Sequence, residues 1–240
     1  MMGVQMTRAL YLDDSYLREC DATVVSVTEG KFVVLDRTVF YPKGGGQPGD
    51  TGTMIRDEAV FNVVNVGRFA GAISHEVDPP GLREQDRVRC VLNWPRRYRL
   101  MQSHTAAHVF AALLCRGTGA LITGNQLAED KIRFDFSLED YDPDVLERYV
   151  EETNQLLGKD IPVRWYELPK ADALKIPGVI KMADALPPDI PSLRIVEITG
   201  VDRQADGGTH VRNLNEVRHI RILKTENKGK NNRRVYFAFE

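Results

Sequence analysis

Cysteine is scarce in this chain, with three residues among 240. Cys20, Cys90 and Cys115 are far apart, odd in number and outside any Cys-x-x-Cys pair. This usage excludes a disulfide framework and a metal site made of cysteines alone. We interpret all three as small buried apolar residues.

A long apolar run is absent as well. No stretch approaches the ~18 apolar residues that a membrane span needs. The first residues, MMGVQMTRALYLDDSYL, put acids and polar groups where a signal peptide has its apolar core. We therefore expect no membrane partner and predict a cytoplasmic location.

Neither sign of charge is in large excess, since 32 Lys and Arg face 34 Asp and Glu, a formal net charge of −2. This balance excludes a chain that is basic throughout, as general polyanion binders are. Basic residues still cluster around Tyr98 and along the C-terminal end. The members of these two clusters are Arg96, Arg97, Arg99, Arg218, Arg221, Lys224, Lys228, Lys230, Arg233 and Arg234. Either they form solvated faces, or they contact phosphates and their binding falls steeply with salt.

The residues that are present divide the chain near position 95. The first part is rich in β-branched runs separated by Gly and Pro. Its predicted strands are residues 22–28, 31–35, 60–66, 73–77 and 88–93. Glu29-Gly30 predicts a hairpin turn between the first two. Short strands at this spacing predict a small β-barrel over residues 1–95.

The second part, residues 96–240, mixes helices and strands. One helix is predicted from Arg96 to Cys115 after Pro95, and another from an Asp142 cap to about Leu157. The remaining predictions are strands at residues 131–136, 163–167, 193–198, 216–224 and 235–239, a short helix within 168–189 and a turn at Pro187-Pro188. The expected fold class is α+β, an N-terminal small β-barrel followed by a two-layer α/β domain with a mainly antiparallel sheet.

Two of the five histidines, His104 and His108, form the run His-Thr-Ala-Ala-His inside the first predicted helix. Residues four apart lie on one helical face, so both rings can hold one metal ion. The same spacing also arises by chance. Thr105 stands where the HExxH zinc proteases need a glutamate as general base, which excludes that mechanism.

A further group lies downstream, in the run Gln-Ala-Asp-Gly-Gly-Thr-His-Val at residues 204–211. The two glycines before His210 permit close backbone approach to a ligand, and Asp206 and His210 can both face one site. Three histidine nitrogens with an oxygen ligand or water make an ordinary catalytic zinc shell. The alternative is an ordinary Gly-Gly turn beside an exposed histidine.

These motifs resemble the editing domain of alanyl-tRNA synthetases and, still more, its freestanding relatives, the AlaX family. Beside the histidine helix, the matching segments are Gly-Gly-Thr-His-Val at 207–211 with Asn213 nearby, Phe-Tyr-Pro-Lys-Gly-Gly-Gly-Gln-Pro-Gly-Asp-Thr-Gly at 40–52, Asp-Lys-Ile-Arg-Phe-Asp-Phe at 130–136 and Leu-Tyr-Leu-Asp-Asp-Ser-Tyr at 10–16. Each segment alone has low specificity. In this order, over nearly the whole chain, they are quite specific.

The AlaX resemblance implies a zinc-dependent hydrolase that edits mischarged tRNA(Ala) at its acceptor end, removing chiefly serine and secondly glycine. An alanine pocket rejects these two amino acids too weakly, so a second hydrolytic site is needed. The implied metal and catalytic residues are His104, His108, Asp206 and His210, and the implied substrate-binding residues are Thr123, Gln126, Gly207, Gly208 and Thr209. Thr123 is the candidate partner of the serine hydroxyl, and a plain turn threonine is the alternative.

The AlaX pattern has a cysteine at the position of Asp206. A carboxylate is a harder ligand than a thiolate, so Asp206 can hold zinc more weakly or admit other divalent ions. Alternatively, it can leave the ion and hydrogen-bond a bound water or a histidine ring. The sequence leaves both interpretations open.

A Gly-rich segment contains Gly44, Gly45, Gly46 and Gln47. It does not match the pattern GxxxxGK[ST] and no helical pattern follows it, so no ATP site is predicted. The resemblance suggests a structural loop that faces the tRNA end or the active site. An ordinary turn of the barrel is the alternative.

Two other functions are consistent with the sequence. One is a zinc hydrolase that acts on a different ester or amide, and binding of a tRNA acceptor stem separates it from an editing enzyme. The other is an RNA-binding translation module with a structural metal, which a closed four-ligand site would favour. The sequence leaves monomer and homodimer both open.

Overall fold

The computed structural model of this protein describes residues 7–138, 142–180, 190–229 and 231–240. The predicted turn at Pro187-Pro188 and the basic residue Lys230 lie outside the described residues. The chain divides into two compact units, unit 1 over Met1–Arg99 and unit 2 over Leu100–Glu240.

The elements of unit 1 are β1 Arg8–Ala9, α1 Leu10–Asp13, β2 Glu19–Thr28, β3 Phe32–Leu35, β4 Arg37–Thr38, β5 Gly52–Arg56, β6 Ala59–Phe69, β7 Ala72–Asp78 and β8 Arg87–Leu92. Six antiparallel strands close into a barrel in the order β2-β3-β7-β6-β5-β8. The strands β1 and β4 form a short parallel pair. The predicted barrel is therefore confirmed.

The barrel is held by alternate side chains that point inward, as in any half-buried strand. Val33 and Leu35 of β3 and Met54 of β5 are fully buried. The predicted Glu29-Gly30 turn is confirmed, since both residues have positive φ (51° and 71°), as a type I′ hairpin requires. Strand β5 was not predicted because its five residues directly follow the Gly-rich segment.

Helix α2, Trp94–Thr118, begins in unit 1, and its residue Arg97 is fully buried there. The Arg97 Nε donates to the two carboxylate oxygens of Asp50 at 3.1 and 3.0 Å, and Nη2 also bonds Asp50. Nη1 donates to the Ser15 carbonyl at 2.9 Å and Nη2 to the Val39 carbonyl at 2.6 Å. The prediction that Arg97 contacts phosphate is therefore wrong, because its planar donor group is used inside unit 1.

The elements of unit 2 after α2 are β9 Ile122–Leu127, β10 Ile132–Phe136, α3 Pro143–Leu156, β11 Val163–Pro169, α4 Lys170–Ala173, β12 Ser192–Ile198, β13 Asp202–Ala205, β14 Ile220–Asn227 and β15 Arg233–Phe239. One antiparallel sheet has the order β14-β15-β10-β9, and the other has the order β11-β12-β13. The expected α+β class with mainly antiparallel sheets is confirmed.

Within unit 2, helix α2 is buried on every side from Leu100 to Ala112. Phe110 packs against Phe136 and Phe237 of the four-stranded sheet, with ring centroids 6.0 and 5.1 Å apart. A different side of the helix meets β13 through His108, so α2 contacts both sheets. The buried polar residues of this stretch, His104, Thr105 and His108 among them, therefore face other parts of the protein and not solvent.

Some element boundaries differ from the predictions. Helix α2 begins at Trp94 and not at Arg96. Strands β9 and β13 were not predicted, because their Gly, Asn and Asp residues have low β-propensity. The predicted strand at 216–224 begins later, at Ile220, because Glu216 closes a capped 3₁₀ turn. The predicted Asp142 cap of α3 is confirmed. Among the described residues, no helix is both long and apolar enough to cross a membrane.

The buried Arg97–Asp50 pair generates the first prediction. Replacing Arg97 by Met leaves the Asp50 carboxylate buried without its partner, and we expect a loss of ~3–5 kcal/mol of unfolding free energy. Urea unfolding followed by circular dichroism measures the change. The control is Arg89→Met, because Arg89 pairs with Glu19 on the surface, where ion pairs contribute little. Equal small losses in both variants would contradict the prediction.

Candidate metal centre

The structure brings the four predicted metal ligands together. His104 and His108 lie one helical turn apart on α2, Asp206 follows β13, and His210 ends the turn after it. One ligand atom from each residue lies within 4.8 Å of those of the others. The three histidines are 4–6% exposed, so the cluster is nearly dry.

The turn that carries Asp206 and His210 is fixed by hydrogen bonds from a neighbouring strand. Arg194 of β12 donates from Nη1 to the carbonyls of Asp206 and Gly208, at 3.0 and 3.3 Å. The Arg194 carbonyl accepts the Asp206 N–H at 3.1 Å. The Asp206 carboxylate in turn accepts the Gly208 N–H at 2.8 Å, which orients its oxygens toward the histidines.

Gly208 is required because its backbone lies against a ligand. A Cβ at this position would stand 2.2 Å from Cε1 of His104 and 2.5 Å from its Nδ1. Any other residue would push the turn away from helix α2. At Gly207, in contrast, a Cβ would meet nothing within 4 Å, and this residue is exposed. The cluster therefore adjoins open space on the side of Gly207.

The three imidazoles surround a common point. Their ring centroids are 4.9 Å apart for His104 and His108, 4.2 Å for His104 and His210, and 4.6 Å for His108 and His210. The Asp206 carboxylate lies 2.9 Å from Nε2 of His210 and 3.7 Å from Nε2 of His104. Four donor atoms this close can hold one metal ion with little side-chain movement.

Burial decides the charge of this cluster. It lowers the pKa of His104 to about 3 and that of His210 to about 4, and it lowers the pKa of His108 below its ordinary value. Burial alone would raise the pKa of Asp206, but the adjacent His104 and His210 hold it well below its ordinary value. At neutral pH the set is therefore three neutral imidazoles and one carboxylate, the protonation states that bind metals.

Three residues missed as site residues by the sequence analysis contact the ligand rings. Asp202 of β13 places a carboxylate oxygen 3.2 Å from Nδ1 of His108, and Thr105 places its hydroxyl 3.2 Å from Nδ1 of His210. Gln204 of β13 also reaches the His108 ring, where its amide nitrogen lies 2.5 Å from the ring Nε2 and 3.0 Å from Nδ1. Alternation along β13 puts Asp202 and Gln204 on one side of the strand. This alternation of side chains was the sequence signal that could have identified Asp202 and Gln204 as site residues.

The predicted substrate residues Thr123 and Gln126 are placed on β9, where both are exposed. Gln126 lies opposite Arg133, whereas the buried Phe134 faces the other side of the sheet. Gln126 therefore points away from α2 and its histidines, which contradicts its predicted role. Thr123 is the extra residue at a register shift in β9, and its hydroxyl donates to Asn232 at 3.2 Å. Its role as a partner of the serine hydroxyl stays a prediction. Thr209 is fully buried between the glycines and His210.

The predicted Gly-rich segment forms a tight turn in unit 1. Gly44 and Gln47 exchange backbone hydrogen bonds of 3.1 and 2.9 Å, and Gly45 and Gly46 between them have φ of 57° and 86°. Two successive positive φ angles define a type I′ turn, which favours glycine. Gln47 is fully buried and the Tyr41 hydroxyl donates to the Gly44 carbonyl at 3.0 Å. The segment is a packed turn of the barrel.

The other predicted phosphate-binding residues differ in exposure. Arg96 is half-buried and donates to the Gly49 carbonyl at 3.1 Å, while Arg99 is exposed. In the C-terminal hairpin, Lys224 and Lys228 both pair with Glu226, and Arg234 pairs with Asp135. Acidic partners therefore offset part of the positive charge of that hairpin.

A cavity of about 630 Å³ lies beside α2 in unit 2. Ala112 and Arg116, one and two turns after His108, line it together with Asp202. Asp202 thus borders both the cavity and the His108 ring.

Comparisons with known proteins agree with one another. Residues 193–236 match the family model of the threonyl and alanyl tRNA synthetase second additional domain, and residues 15–96 match that of tRNA synthetases class II (A). The chain is 48% identical over 240 residues to the alanyl-tRNA editing protein AlaX-M of Methanosarcina barkeri, covering 97% of this chain and 99% of that protein.

Two further relatives are similar to this chain over nearly its whole length. It is 45% identical over 236 residues to the AlaX-M protein of Saccharolobus solfataricus, again covering 97% of this chain and 99% of the relative. It is 36% identical over 237 residues to the alanine–tRNA ligase of Pyrococcus abyssi, covering 97% of this chain but 26% of the ligase.

The neutral state of the histidines predicts how a metal ion binds. Three histidines with the ordinary pKa of 6.5 would together carry about two protons at pH 6 and release them to the solvent on metal binding. Because burial lowers the pKa of His104 to about 3, that of His210 to about 4 and that of His108 below its ordinary value, we expect these rings to release clearly fewer protons at pH 6. Calorimetric titration with Zn²⁺ in buffers of different protonation enthalpy measures the number.

The exposed His219 provides the control, because His219→Gln should leave the proton count unchanged. Release of about two protons per ion by the unaltered protein would show that the cluster is charged before it binds.

Proposed function

Because this chain belongs to the AlaX family of alanyl-tRNA editing proteins, we propose that it deacylates mischarged tRNA(Ala) in trans. The proposed substrates are chiefly seryl-tRNA(Ala) and secondly glycyl-tRNA(Ala), and the proposed cofactor is zinc. The observation that carries the proposal is the convergence of His104, His108, Asp206 and His210 in a chain that matches editing proteins over nearly its full length.

The donor set supports zinc as the ion. Three imidazole nitrogens and one carboxylate oxygen suit Zn²⁺, and their ligand atoms lie within 4.8 Å of one another, so a modest inward movement of the side chains would bring all four to the 2.0–2.2 Å length of a zinc–ligand bond. When bound, zinc supplies a Lewis acid that can polarise the ester carbonyl, activate water or position the substrate amine.

The histidines, Gly207 and the cavity beside α2 provide what the reaction needs besides the ion. The three neutral histidines offer lone pairs at neutral pH, and their low pKa values make them unsuitable as general acids there. The exposed Gly207 beside Asp206 provides the opening through which an aminoacyl group reaches the cluster. The cavity that begins one turn after His108 offers room for the terminal nucleoside of the tRNA.

A structural metal site is the alternative to a catalytic one, because four protein ligands can close a zinc site. Asp206 is the ligand that distinguishes the two functions, since its side chain is 15% exposed and the three histidine side chains are 4–5% exposed. A partly exposed ligand next to Gly207 can share its position with water or substrate. This geometry favours a catalytic site over a structural one.

The proposed activity predicts that purified protein releases serine from seryl-tRNA(Ala) and leaves alanyl-tRNA(Ala) intact. Chelation should abolish release, and His210→Ala should lower its rate by more than about 100-fold, because the variant loses a ligand of the ion. Release of radiolabelled serine measures the rate. The control variant is His219→Ala, which alters an exposed histidine outside the cluster.

A lack of deacylation would exclude the proposed activity. If the protein binds zinc at full occupancy and still releases neither serine nor glycine from tRNA(Ala), it is not an editing enzyme for these substrates. A zinc hydrolase of another ester or a structural metal module would then be the better interpretation.

We also propose that Arg99 contacts tRNA phosphates, since it is exposed and lies near the half-buried aromatic side chains Trp94 and Tyr98 on α2. Arg99→Ala should weaken tRNA binding and lower the slope of log K against log salt by about 1. Filter binding over a series of salt concentrations measures this slope. Arg89→Ala is the control, because Glu19 already neutralises Arg89. An unchanged slope for Arg99→Ala would exclude the contact.

A further inference from the structure

The hydroxyl of Thr105 lies at a junction between helix α2 and the turn that carries His210. Thr105 is fully buried, and its Oγ1 donates to the Met101 carbonyl, one turn earlier in the helix, at 2.9 Å. The same oxygen lies 3.2 Å from Nδ1 of His210 and accepts the Val211 N–H at 3.3 Å. One buried oxygen therefore has three polar neighbours.

The hydrogen count of a hydroxyl limits how these neighbours are arranged. A threonine hydroxyl has one hydrogen to donate and two lone pairs to accept with. Its hydrogen points to the Met101 carbonyl, which can only accept, and one lone pair takes the Val211 N–H. The remaining lone pair faces Nδ1 of His210, and a ring that carries its hydrogen on that nitrogen would satisfy it.

This arrangement bears on metal binding, because a neutral imidazole has one protonated and one free nitrogen. With its hydrogen on Nδ1, His210 keeps the Nε2 lone pair free, and Nε2 is the nitrogen that lies 2.9 Å from Asp206 inside the cluster. With its hydrogen on Nε2, the ring would donate to Asp206 and have no lone pair there for an ion. We propose that Thr105 is a positioning residue that fixes the metal-binding tautomer of His210.

A parallel contact at the neighbouring ligand supports this inference. Nδ1 of His108 likewise has a polar partner outside the ligand set, the Asp202 carboxylate at 3.2 Å. Partners behind the ligand rings commonly fix ring orientation in this way. Thr105 therefore occupies the position of the general base in HExxH enzymes, but its proposed role is to orient the His210 ring.

The inference rests on the metal site of the proposed function, and its test measures metal binding without any tRNA. Thr105→Val keeps the shape of the side chain and removes the hydroxyl, whereas Thr105→Ser keeps the hydroxyl. We expect the valine variant to bind Zn²⁺ about 10–100-fold more weakly in competition with a chromophoric chelator, and the serine variant to bind like the unaltered protein.

Thr118→Val is a matched control. Thr118 also lies on α2, donates to the carbonyl four residues earlier, at 2.7 Å, and accepts a backbone N–H, at 3.2 Å, but it contacts no histidine through either bond. Its loss should change zinc affinity little. Thermal unfolding of the metal-free proteins separates a loss of stability from a loss of affinity, and Thr105→Ala replaces the valine variant if that variant does not fold.

A spectroscopic readout tests the tautomer itself. Long-range ¹H–¹⁵N spectra of the zinc-loaded protein should show His210 with a protonated Nδ1, and that signal should weaken or shift in Thr105→Val and return in Thr105→Ser. If Thr105→Val binds zinc as tightly as the unaltered protein and loses only stability, Thr105 is structural and the inference is wrong. If the unaltered protein binds no divalent ion, the proposed function fails and the inference fails with it.

Discussion

The approach of the Gly208 backbone to the His104 ring is the contact on which the candidate site depends. A methyl group at this position would stand 2.2 Å from the ring. Glycine therefore allows the turn to reach helix α2, and Arg194 holds the turn there through the carbonyls of Asp206 and Gly208. Two ligands from the helix and two from the turn then surround one point, although about a hundred residues separate them in the sequence.

Burial of this point determines the chemistry that it can support. Because sheets contact α2 on more than one side, the cost of charging an imidazole is high and the histidines remain neutral. Buried polar atoms in turn need partners, and Thr105 and Asp202 provide them behind the rings of His210 and His108. The same packing that excludes water from the cluster thus also orients its ligands. Asp206 and the exposed Gly207 mark its open side.

Sequence reasoning succeeded where a local pattern carries the structure. The spacing of His104 and His108 implies a shared helical face, and the Glu29-Gly30 pair implies a hairpin, because both depend on residues close in the chain. It failed for Arg97 and Gln126. A cluster of arginines suggests a solvent-exposed surface, but Arg97 is buried because it pairs with the Asp50 carboxylate. The side of a sheet on which Gln126 points depends on the register of β9 with β10.

The sequence by itself determined most of the elements, the barrel and the four candidate ligand residues, because periodicity, turn residues and motif order are local properties. Tertiary structure alone decided that these ligands meet, that burial favours the neutral form of the three histidines, and that Thr105 and Asp202 stand behind the rings of His210 and His108. It also decided that Arg97 is buried and that Arg99 is exposed to solvent. The physical reason is that burial and pairing between distant residues set pKa values, tautomers and exposure, and no short segment contains both members of such a pair.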